Sequence, residues 1–574
     1  MRLSVCLSIA ALAGCAAGVL TVHPLQGRPG TNAVAAAPVA AAAQDVAEPG
    51  MRRVGIPSDD AGLGPDTRPA VARPGLRPAG VAGAVSVANF APPVAAAAVV
   101  TARPAPAAAS TPAATRELAG GVTFAVEGAP APTPAPAPGD APADYSAAPV
   151  AVQPPLRIDG VQLATLSPYE ATIHWTTSEA AVGRVAYGLE VPALWTPAAG
   201  PGSDHEVELT GLEPATSYRL RVESGAADGR TTTSDFVLTT PARVPGLPHG
   251  SVGGGALLVD GHAVFPTIVW GQCSEGYADN LAVGINVFMG NGCGSGADQV
   301  ARLGGRALSV GSLEDDASGL VGRYLPDEWD THLPNNFSAA DMLHVTRSAR
   351  GPEPLFLTLT NHFYSLAEPL PQGRGMYPAL AGGADVLGFD LYPLQNWCRP
   401  SSFGDVFDSQ RQLVALAAGK PTFQWIEARR MDCSDPALDP TPDTVRAEVW
   451  LSVAGGAHGV GYFPNNWDAS IDGEIARSKR EVQSLLPALL EPALNASASN
   501  SQIKVSARVH NGALYVIAVN ASRSPQAATF NVPLLADRGL VSLAGDRATV
   551  AAGGAFSDTF APLEVRVYIS PPSA

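Results

Sequence analysis

Thr422-Phe-Gln-Trp-Ile-Glu427 is a short apolar and aromatic run that ends in a carboxylate. It belongs to a region, from about residue 250 to 490, in which such runs alternate with longer and more polar stretches. This alternation is the βα pattern of a parallel sheet, and eight units in about 240 residues predict a (β/α)8 TIM barrel. The eight predicted strands are Ala263–Trp270, Ala282–Met289, Arg306–Val310, Gly319–Asp327, Leu355–Thr360, Val386–Tyr392, Thr422–Glu427 and Gly459–Phe463.

Two glutamates lie where such a barrel carries its functional groups, at the C-terminal ends of strands. The fourth predicted strand runs into Tyr324-Leu-Pro-Asp-Glu-Trp329, which contains Glu328, and the seventh ends at Glu427. Strand alternation places Glu427 on the same face as Phe423 and Trp425. A carboxylate among aromatic neighbours inside a barrel costs free energy, which indicates that these glutamates have a chemical task.

Cleavage of a glycosidic bond needs two such carboxyl groups, one to protonate the leaving oxygen and one to attack or to activate water. Residues 260–490 resemble the clan A glycoside hydrolases, the family 5-like group, which carry glutamates on the fourth and seventh strands. The resemblance implies that Glu328 is the acid/base and Glu427 the nucleophile. It also implies retention of anomeric configuration, with the two carboxyls about 5–5.5 Å apart.

Asp327 departs from the family pattern, which has asparagine before the acid/base glutamate to bond the sugar 2-hydroxyl. An aspartate can accept that bond but can donate one only when it is protonated. We expect Asp327 to bind substrate, and a second interpretation makes Asp327 itself the acid.

Further substrate-binding residues are predicted at or just beyond the strand ends. They are Trp270, Trp329, His362, Asp390, Tyr392, Trp425 and Trp467. The resemblance implies a histidine after the fifth strand, which His362 matches, and a tyrosine that orients the nucleophile, which Tyr392 matches. Tryptophan faces stack on the apolar face of a pyranose, so several of these rings are expected to touch sugar. A loop role for His362 and a structural role for Asp390 are the alternatives.

Residues 1–15 predict a lipoprotein-type signal peptide. Arg2 supplies a positive charge, and Leu3–Leu12 is an apolar run too short for a permanent bilayer anchor. Leu12-Ala-Gly-Cys15 resembles the bacterial lipobox, in which the cysteine becomes lipidated; an ordinary cleaved signal is the alternative. We therefore expect an exported protein that is lipid-anchored to a bacterial membrane or secreted.

Three more segments complete the predicted organisation around a barrel domain at residues 242–495. Residues 16–150 are rich in Ala, Pro and Gly and predict a disordered linker, either a stalk or unselected low-complexity sequence. In residues 151–241, Trp175 on an alternating strand and the Leu212-Glu-Pro-Ala-Thr-Ser-Tyr218 pattern resemble a fibronectin type III sandwich, expected to act as a spacer. Residues 496–574 predict an antiparallel β-sandwich, with a hairpin turn at Asn511-Gly512.

The cysteines predict disulfides. Beyond the signal the chain has four, an even number, in an exported protein: Cys273, Cys293, Cys398 and Cys433. Proximity in sequence suggests Cys273–Cys293 and Cys398–Cys433, although four cysteines allow three pairings. A zinc site of four thiolates is the competing idea, and the chain lacks the Cys-x-x-Cys pairs that favour it.

The formal net charge of −16, with no basic run, makes the chain a poor ligand for nucleic acid or anionic lipid. The expected partner is a carbohydrate substrate, with membrane contact only through the lipid anchor, no cofactor, no metal and a monomeric state. Two other classes stay open. One is an inactive carbohydrate-binding or scaffold protein; the other is a metallophosphatase, for which Asp260/His262 and Asp330/His332 lack companion ligands.

Overall fold

The computed structural model describes residues 153–243, 247–290, 292–304, 307–349 and 351–573. The predicted signal peptide of residues 1–15, including Cys15, lies outside the described residues. The predicted linker of residues 16–150 lies outside them too, as does Arg306, the predicted start of the third barrel strand. The described residues belong to one compact unit.

A six-stranded antiparallel sheet begins the described chain. Its strands are β1 (Ile158–Leu166), β2 (Ala171–Gly188), β3 (Leu194–Trp195), β4 (Ala199–Leu209), β5 (Ser217–Ala226) and β6 (Thr231–Thr239). Trp175 is fully buried, and the Tyr218 hydroxyl accepts a hydrogen bond of 2.8 Å from the backbone N–H of Glu213. A tyrosine tied back to its preceding loop is what the sequence pattern predicts, while membership of the fibronectin type III family stays a prediction.

A small antiparallel sheet leads into the barrel and packs against it. It consists of β7 (Gly250–Gly253), β8 (Ala256–Val259) and β9 (His262–Val264). Leu257 and Val259 join the apolar cluster formed by the barrel strands. The predicted first barrel strand, Ala263–Trp270, is therefore wrong at its start, because Pro266 lacks the N–H that a continuous ladder needs.

Eight parallel strands close into a barrel in chain order, with the last strand pairing to the first, as predicted. They are β10 (Thr267–Trp270), β11 (Val287–Met289), β12 (Leu308–Ser312), β13 (Leu320–Tyr324), β14 (Leu355–Thr360), β15 (Val386–Asp390), β16 (Thr422–Glu427) and β17 (Gly459–Phe463). The strands β14, β16 and β17 have the predicted bounds. The fourth strand, β13, ends at Tyr324 instead of Asp327, because Pro326 interrupts the ladder and Glu328 has a left-handed backbone. The glutamate therefore lies on a loop beyond the strand.

Helices cover the outside of the barrel. They are α1 (Tyr277–Val283), α2 (Ala297–Leu303), α3 (Ala339–Ser348), α4 (Tyr377–Gly383), α5 (Asp405–Ala417), α6 (Pro442–Gly455), α7 (Ala469–Gln483) and α8 (Leu486–Leu489). The buried helix α6 is bounded by strong signals: Thr441 caps the N–H of Thr444, Pro442 is its first residue, and Gly456 ends it at φ 104°. Between β12 and β13, residues 313–319 form no helix. None of the helices in the described ranges is long and apolar enough to span a bilayer.

Two disulfides, Cys273–Cys293 and Cys398–Cys433, confirm the pairing suggested by sequence proximity. Their Cα–Cα distances are 5.2 and 5.7 Å. The first joins the loops that follow β10 and β11, and the second joins the loops that follow β15 and β16. Both bridges therefore brace the C-terminal mouth of the barrel, where a barrel carries its site.

Two antiparallel sheets end the chain, one of order β18-β21-β24 and one of order β19-β20-β25-β22-β23. The strands are β18 (Ser497–Ala498), β19 (Ile503–His510), β20 (Ala513–Asn520), β21 (Gln526–Asn531), β22 (Gly539–Ser542), β23 (Ala548–Val550), β24 (Ala555–Phe560) and β25 (Val565–Ser570). Phe530 and Tyr568 belong to an apolar cluster that both sheets share. Asn511 and Gly512 have φ of 47° and 78°, as the predicted type I′ turn requires.

Buried polar contacts attach both outer segments to the barrel. Lys479 on α7 forms a buried ion pair of 2.7 Å with Glu213, which lies in the loop between β4 and β5 of the N-terminal sheet. Arg508 on β19 is buried, and its Nη2 donates to the carbonyl of Val453 on α6 at 3.2 Å. A buried charge that loses its partner is costly, so these contacts fix the outer sheets against the barrel.

Candidate active site

A small cavity of about 80 Å³ lies at the C-terminal ends of the barrel strands. Its lining residues are Trp270, Asp327, Glu328, Thr358, Asp390, Tyr392, Trp425 and Phe463. They come from β10, β14, β15, β16 and β17 and from the loops after β13 and β15. Six were predicted as site residues from the sequence, and Thr358 and Phe463 were not.

A larger cleft of about 320 Å³ lies between α7 and β25. Several of its charged side chains form ion pairs: Glu481 contacts Arg446 at 2.7 Å and Arg477 at 3.1 Å. These pairs satisfy the charges within the cleft. We therefore place the candidate site in the barrel mouth, where carboxyl groups lie together without such partners nearby.

Three carboxyl groups meet in the cavity, and the most buried is Asp390, at 8% exposure. The other two carboxyls that line the cavity belong to Glu328 and Asp327. Burial first, and then the interactions with Glu328 and Asp327, raise the pKa of Asp390 well above its usual range. The third carboxyl, Asp327, keeps more of its surface open; its burial and the charge of Glu328 raise its pKa to about 6. The cavity can thus hold protons at neutral pH.

Glu328 has a left-handed backbone, with φ 45° and ψ 38°, which is costly for a residue with a side chain. Its carbonyl accepts hydrogen bonds from Thr331, from the N–H at 3.0 Å and from Oγ1 at 2.8 Å. These contacts tie Glu328 to the single turn Trp329–His332 that follows. Strain of this kind concentrates at functional sites, where surrounding contacts hold it.

Asp330 anchors the same loop and was not predicted as a site residue. It is fully buried and accepts hydrogen bonds from the Thr360 N–H at 3.0 Å, Thr360 Oγ1 at 2.6 Å and the Tyr377 hydroxyl at 2.9 Å. It thereby fixes the loop after β13 to the end of β14. The sequence offered one signal, a carboxylate two residues after the predicted acid/base.

Aromatic rings form the walls of the cavity. Trp270 meets Trp425 edge to face at 6.3 Å, and Tyr392 stacks on Phe463 at 6.2 Å. The Trp425 indole N–H donates to Thr358 Oγ1 at 3.2 Å, which fixes the ring. Rigid aromatic walls with a few polar groups suit a ligand that has both apolar faces and hydroxyls.

Glu427 lies at the end of β16 with 1% exposure. Its Oε1 accepts hydrogen bonds from the backbone N–H groups of Leu394 and Gln395, each at 2.9 Å. Its Oε2 has no hydrogen-bond partner in the described part of the chain. Burial raises the pKa of Glu427 to about 8, against the effect of the two N–H groups. Glu427 is not one of the residues that line the cavity, although Trp425, two residues before it, is.

Glu448 on α6 is a second buried acid beside Glu427, and it was missed in the sequence analysis. Its Oε2 accepts the backbone N–H of Glu427 at 3.2 Å. Burial and the charge of Glu427 raise the pKa of Glu448 well above its usual range. A glutamate within a helix gives no sequence signal of such a contact, because only the packing of α6 on β16 creates it.

Three predicted substrate-binding residues do not line the cavity. Trp329 packs edge to face on Phe337 at 5.6 Å. His362 is hydrogen-bonded through Nδ1 to the carbonyl of Glu368 at 2.5 Å. The Trp467 indole donates to Asp472 at 2.8 Å. Substrate contact by these three residues stays a prediction.

Within the described ranges, no three His, Cys, Asp or Glu side chains are placed to hold a metal ion. The four cysteines of the zinc hypothesis form the two disulfides, so they supply no thiolates. Asp330 was a candidate metal ligand under the phosphatase hypothesis. Its carboxylate accepts hydrogen bonds from Thr360 and Tyr377.

The fold and the cavity define a closed eight-stranded parallel barrel with an acidic, aromatic site at its C-terminal mouth. No family model and no curated protein matches the sequence. Solved structures that resemble the chain include glycoside hydrolases. The GH30 endoxylanase from Clostridium papyrosolvens is 14% identical, with a TM-score of 0.35 over 53% of this chain and 96% of that one.

A protein from Bacteroides vulgatus assigned as a glycoside hydrolase is 11% identical, with a TM-score of 0.37 over 70% of this chain and 99% of that one. An Anoxybacillus alpha-amylase is 13% identical, with a TM-score of 0.30 over 42% of this chain and 57% of that one. Likenesses at this level support no inference about residues or substrates, so the functional argument rests on the site itself.

Proposed function

We propose that this protein is a glycoside hydrolase that cleaves O-glycosidic bonds in an extracellular oligo- or polysaccharide. The observation that carries the proposal is the cavity, in which three carboxyl groups lie between aromatic walls at the barrel mouth. The oxygen of an unactivated glycoside leaves readily only when it is protonated, and a carboxyl such as Glu328 suits that task. Aromatic walls suit the apolar faces of sugar rings.

The proposed mechanism is a double displacement that retains anomeric configuration. Glu328 protonates the leaving oxygen while Glu427 attacks the anomeric carbon and forms a covalent glycosyl-enzyme. Glu328, now a carboxylate, then takes a proton from water, which displaces Glu427 and completes hydrolysis. The role of Glu427 is supported by its fixed orientation on two N–H groups and by an Oε2 without a partner in the described chain.

Asp390 is the competing candidate for the second catalytic carboxyl, because it lines the cavity with Glu328. Glu427 ends β16, the seventh barrel strand, on which the resemblance places the nucleophile, and two backbone N–H groups orient its carboxylate. We therefore keep Glu427 as the nucleophile. Asp327, with a pKa of about 6, is the alternative acid.

The remaining segments are proposed to support this enzyme. The N-terminal sheet acts as a fibronectin type III-like spacer, and the two C-terminal sheets form a β-sandwich. Export, with lipid anchoring at Cys15 or secretion, is proposed from the first residues of the sequence. Two disulfides are compatible with an oxidising compartment.

The test is a screen of aryl glycosides and polysaccharides with the purified protein, followed by NMR of the first product anomer. We expect hydrolysis with retention, and we expect Glu328→Gln and Glu427→Gln to lose turnover while sugar binding persists. An inverted product would refute the double displacement. Sugar binding with no hydrolysis of any substrate would instead indicate a carbohydrate-binding or scaffold protein.

A further inference from the structure

Gln395 lies in the loop after β15, is fully buried, and has a partner for each of its four polar atoms. Its backbone N–H donates to Oε1 of Glu427 at 2.9 Å, and its backbone carbonyl accepts the N–H of Asp432 at 3.2 Å. Its side-chain Oε1 accepts the N–H of Met431 at 2.8 Å, and its Nε2 donates to the carbonyl of Leu438 at 2.6 Å. All four partners belong to the end of β16 or to the loop after β16. One residue therefore ties the two loops together.

The side chain of Gln395 is held by directed contacts and not by packing alone. A buried amide without hydrogen-bond partners is destabilising, and here both ends of the amide are satisfied by backbone groups. The Cys398–Cys433 disulfide joins the same two loops, but Cys398 is exposed to solvent. Gln395 is therefore the buried link between the loops, and it lies directly beside Glu427.

The Glu427 carboxylate depends on these loops for its orientation. Among the described residues, its Oε1 accepts hydrogen bonds only from the backbone N–H groups of Leu394 and Gln395. A backbone donor cannot change rotamer, so its position is that of its chain segment. Residues 391–399 form no helix or strand that would fix this segment. The side-chain contacts of Gln395 therefore help to set where both N–H groups meet the carboxylate.

We propose that Gln395 is a positioning residue that aims the Glu427 carboxylate by fixing the loop after β15 to the loop after β16. The inference rests on the proposed function, because it assigns Gln395 a task in the attack on the anomeric carbon. Gln395 is not one of the described residues that line the cavity, so it acts through Glu427 and not on the substrate. Attack requires reacting atoms about 3–3.5 Å apart and aligned, so a small displacement of the carboxylate slows it steeply.

Gln395→Met tests this role, because methionine keeps the length of the side chain but has no donor and only a weak acceptor. The N–H of Met431 and the carbonyl of Leu438 lose their partner, and the loop after β15 can shift. Single-turnover kinetics on aryl glycosides gives the rate constant of the first chemical step and the substrate dissociation constant. The rate constant should fall on the order of 10²-fold, the scale for a misplacement of about 1 Å, while the dissociation constant stays unchanged.

The dependence on leaving group separates positioning of the nucleophile from a general loosening of the site. Every substrate needs the attack by Glu427, so the loss in Gln395→Met should be equal for alkyl and dinitrophenyl glycosides. Displacement of the acid would instead affect alkyl glycosides most, because dinitrophenyl glycosides leave without protonation. A loosened cavity would weaken substrate binding.

Gln395→Glu is the conservative variant. Burial favours the neutral form of the new acid, which keeps an acceptor for Met431 and a donor for Leu438. Its first chemical step should therefore stay within about tenfold of the wild-type rate.

Gln410 on α5 supplies the matched control. It is also fully buried, and its Nε2 donates at 2.8 Å to Oγ1 of Thr422, at the other end of β16. Gln410→Met should lower the urea midpoint of unfolding, as Gln395→Met does, but keep both kinetic constants of the wild type.

Amide hydrogen exchange of the full chain measures the same contacts without any substrate. The amides of residues 394–398 should be protected in the wild type and in Gln410→Met, and should exchange faster in Gln395→Met. This result is independent of whether the protein hydrolyses a glycoside, so it separates a failure of the positioning role from a failure of the proposed function.

Three results would overturn the proposal. The first, which needs no variant, is rapid exchange of the amides of residues 394 and 395 in the wild type. The second is a first chemical step in Gln395→Met that is as fast as in Gln410→Met, or a loss confined to alkyl glycosides. The third is a loss as large in Gln395→Glu as in Gln395→Met.

Discussion

Trp425 and Glu427 lie two residues apart at the end of β16, yet only Trp425 lines the cavity. The Glu427 carboxylate is instead bound by the N–H groups of Leu394 and Gln395 in the loop after β15. The two side chains thus connect the aromatic wall of the site to the neighbouring loop. The position of that loop therefore controls where the Glu427 carboxylate points.

Glu427→Gln tests the proposed nucleophile. We expect kcat to fall on the order of 10⁴-fold, the scale of loss for a covalent catalytic group. Azide should restore turnover of an activated aryl glycoside to Glu427→Gly, with an inverted glycosyl azide as product, because azide can occupy the space of the removed carboxylate. Glu314→Gln, at an exposed position after β12, is the control and should match wild type. If Glu427→Gln kept most of its activity, Glu427 would be a structural acid.

The buried acids predict how stability depends on pH. Burial raises the pKa of Glu427 in the folded protein to about 8, from an ordinary glutamate value of 4.5. The folded state therefore holds this proton more tightly than the unfolded state between those two pH values. The free energy of unfolding should fall as pH rises from about 4.5 to about 8, with the full contribution present below that window.

Urea denaturation of the wild type and of Glu427→Gln, at several pH values across that window, measures the effect. The slope against pH should be shallower in Glu427→Gln, because the neutral amide does not titrate. Asp390 and Glu448 should change the free energy of unfolding with pH in the same direction as Glu427, since burial raises the pKa of each. A wild-type stability that rose across the window would contradict the raised pKa of Glu427.

The cavity should discriminate against anionic sugars. Three of its lining residues are acids, and no Lys, Arg or His is among the described residues that line it. Like charges brought together in a partly desolvated site cost several kcal/mol, so uronides should bind on the order of tenfold or more weakly than the matching neutral glycosides. Inhibition constants for each pair of sugars measure this difference. Asp327→Asn should reduce the difference in affinity between neutral glycosides and uronides. Equal affinities in the wild type would refute the prediction.

The Cys398–Cys433 disulfide should influence both stability and turnover. It joins the loop after β15, which holds Glu427, to the loop after β16. Replacing both cysteines by serine should lower the free energy of unfolding by about 2–4 kcal/mol. It should also lower kcat, because the loop bearing Leu394 and Gln395 gains freedom. The matched control is the Cys273–Cys293 bridge, whose removal should cost stability but leave the contacts of Glu427 in place.

Local sequence patterns were sufficient for the barrel strands that have clear ends. The strands β14, β16 and β17 have the predicted bounds, because each is an apolar run with polar or glycine-containing sequence on either side. The predicted first and fourth strands were too long, because Pro266 and Pro326 end the ladders within runs that read as continuous. The predicted second strand, Ala282–Met289, was also too long, because its first two residues belong to α1 and β11 begins at Val287. A proline at a strand boundary is visible in the sequence, but which side of it joins the barrel depends on the neighbouring strands.

The sequence predicted the residues of the candidate site only where they lie at the ends of barrel strands. Residues at strand ends converge in any closed parallel barrel, which is why Trp270, Glu328, Asp390 and Trp425 could be placed near one another. The roles of Asp330 and Glu448 could not be predicted in this way. Their contacts depend on how a loop packs on β14 and how α6 packs on β16, and neither leaves a periodic signal.

The sequence by itself determined the eight-strand alternation and the strand ends at which acids and tryptophans gather, and it suggested the disulfide partners. Only the tertiary structure decided which acids share a site: Glu328 and Asp390 line one cavity, while Glu427 is bound by backbone N–H groups and adjoins Glu448. The physical reason is that strand periodicity specifies the face on which a side chain lies. Carboxyl contacts and burial depend instead on loop conformations and helix packing, which bring together residues far apart in the chain.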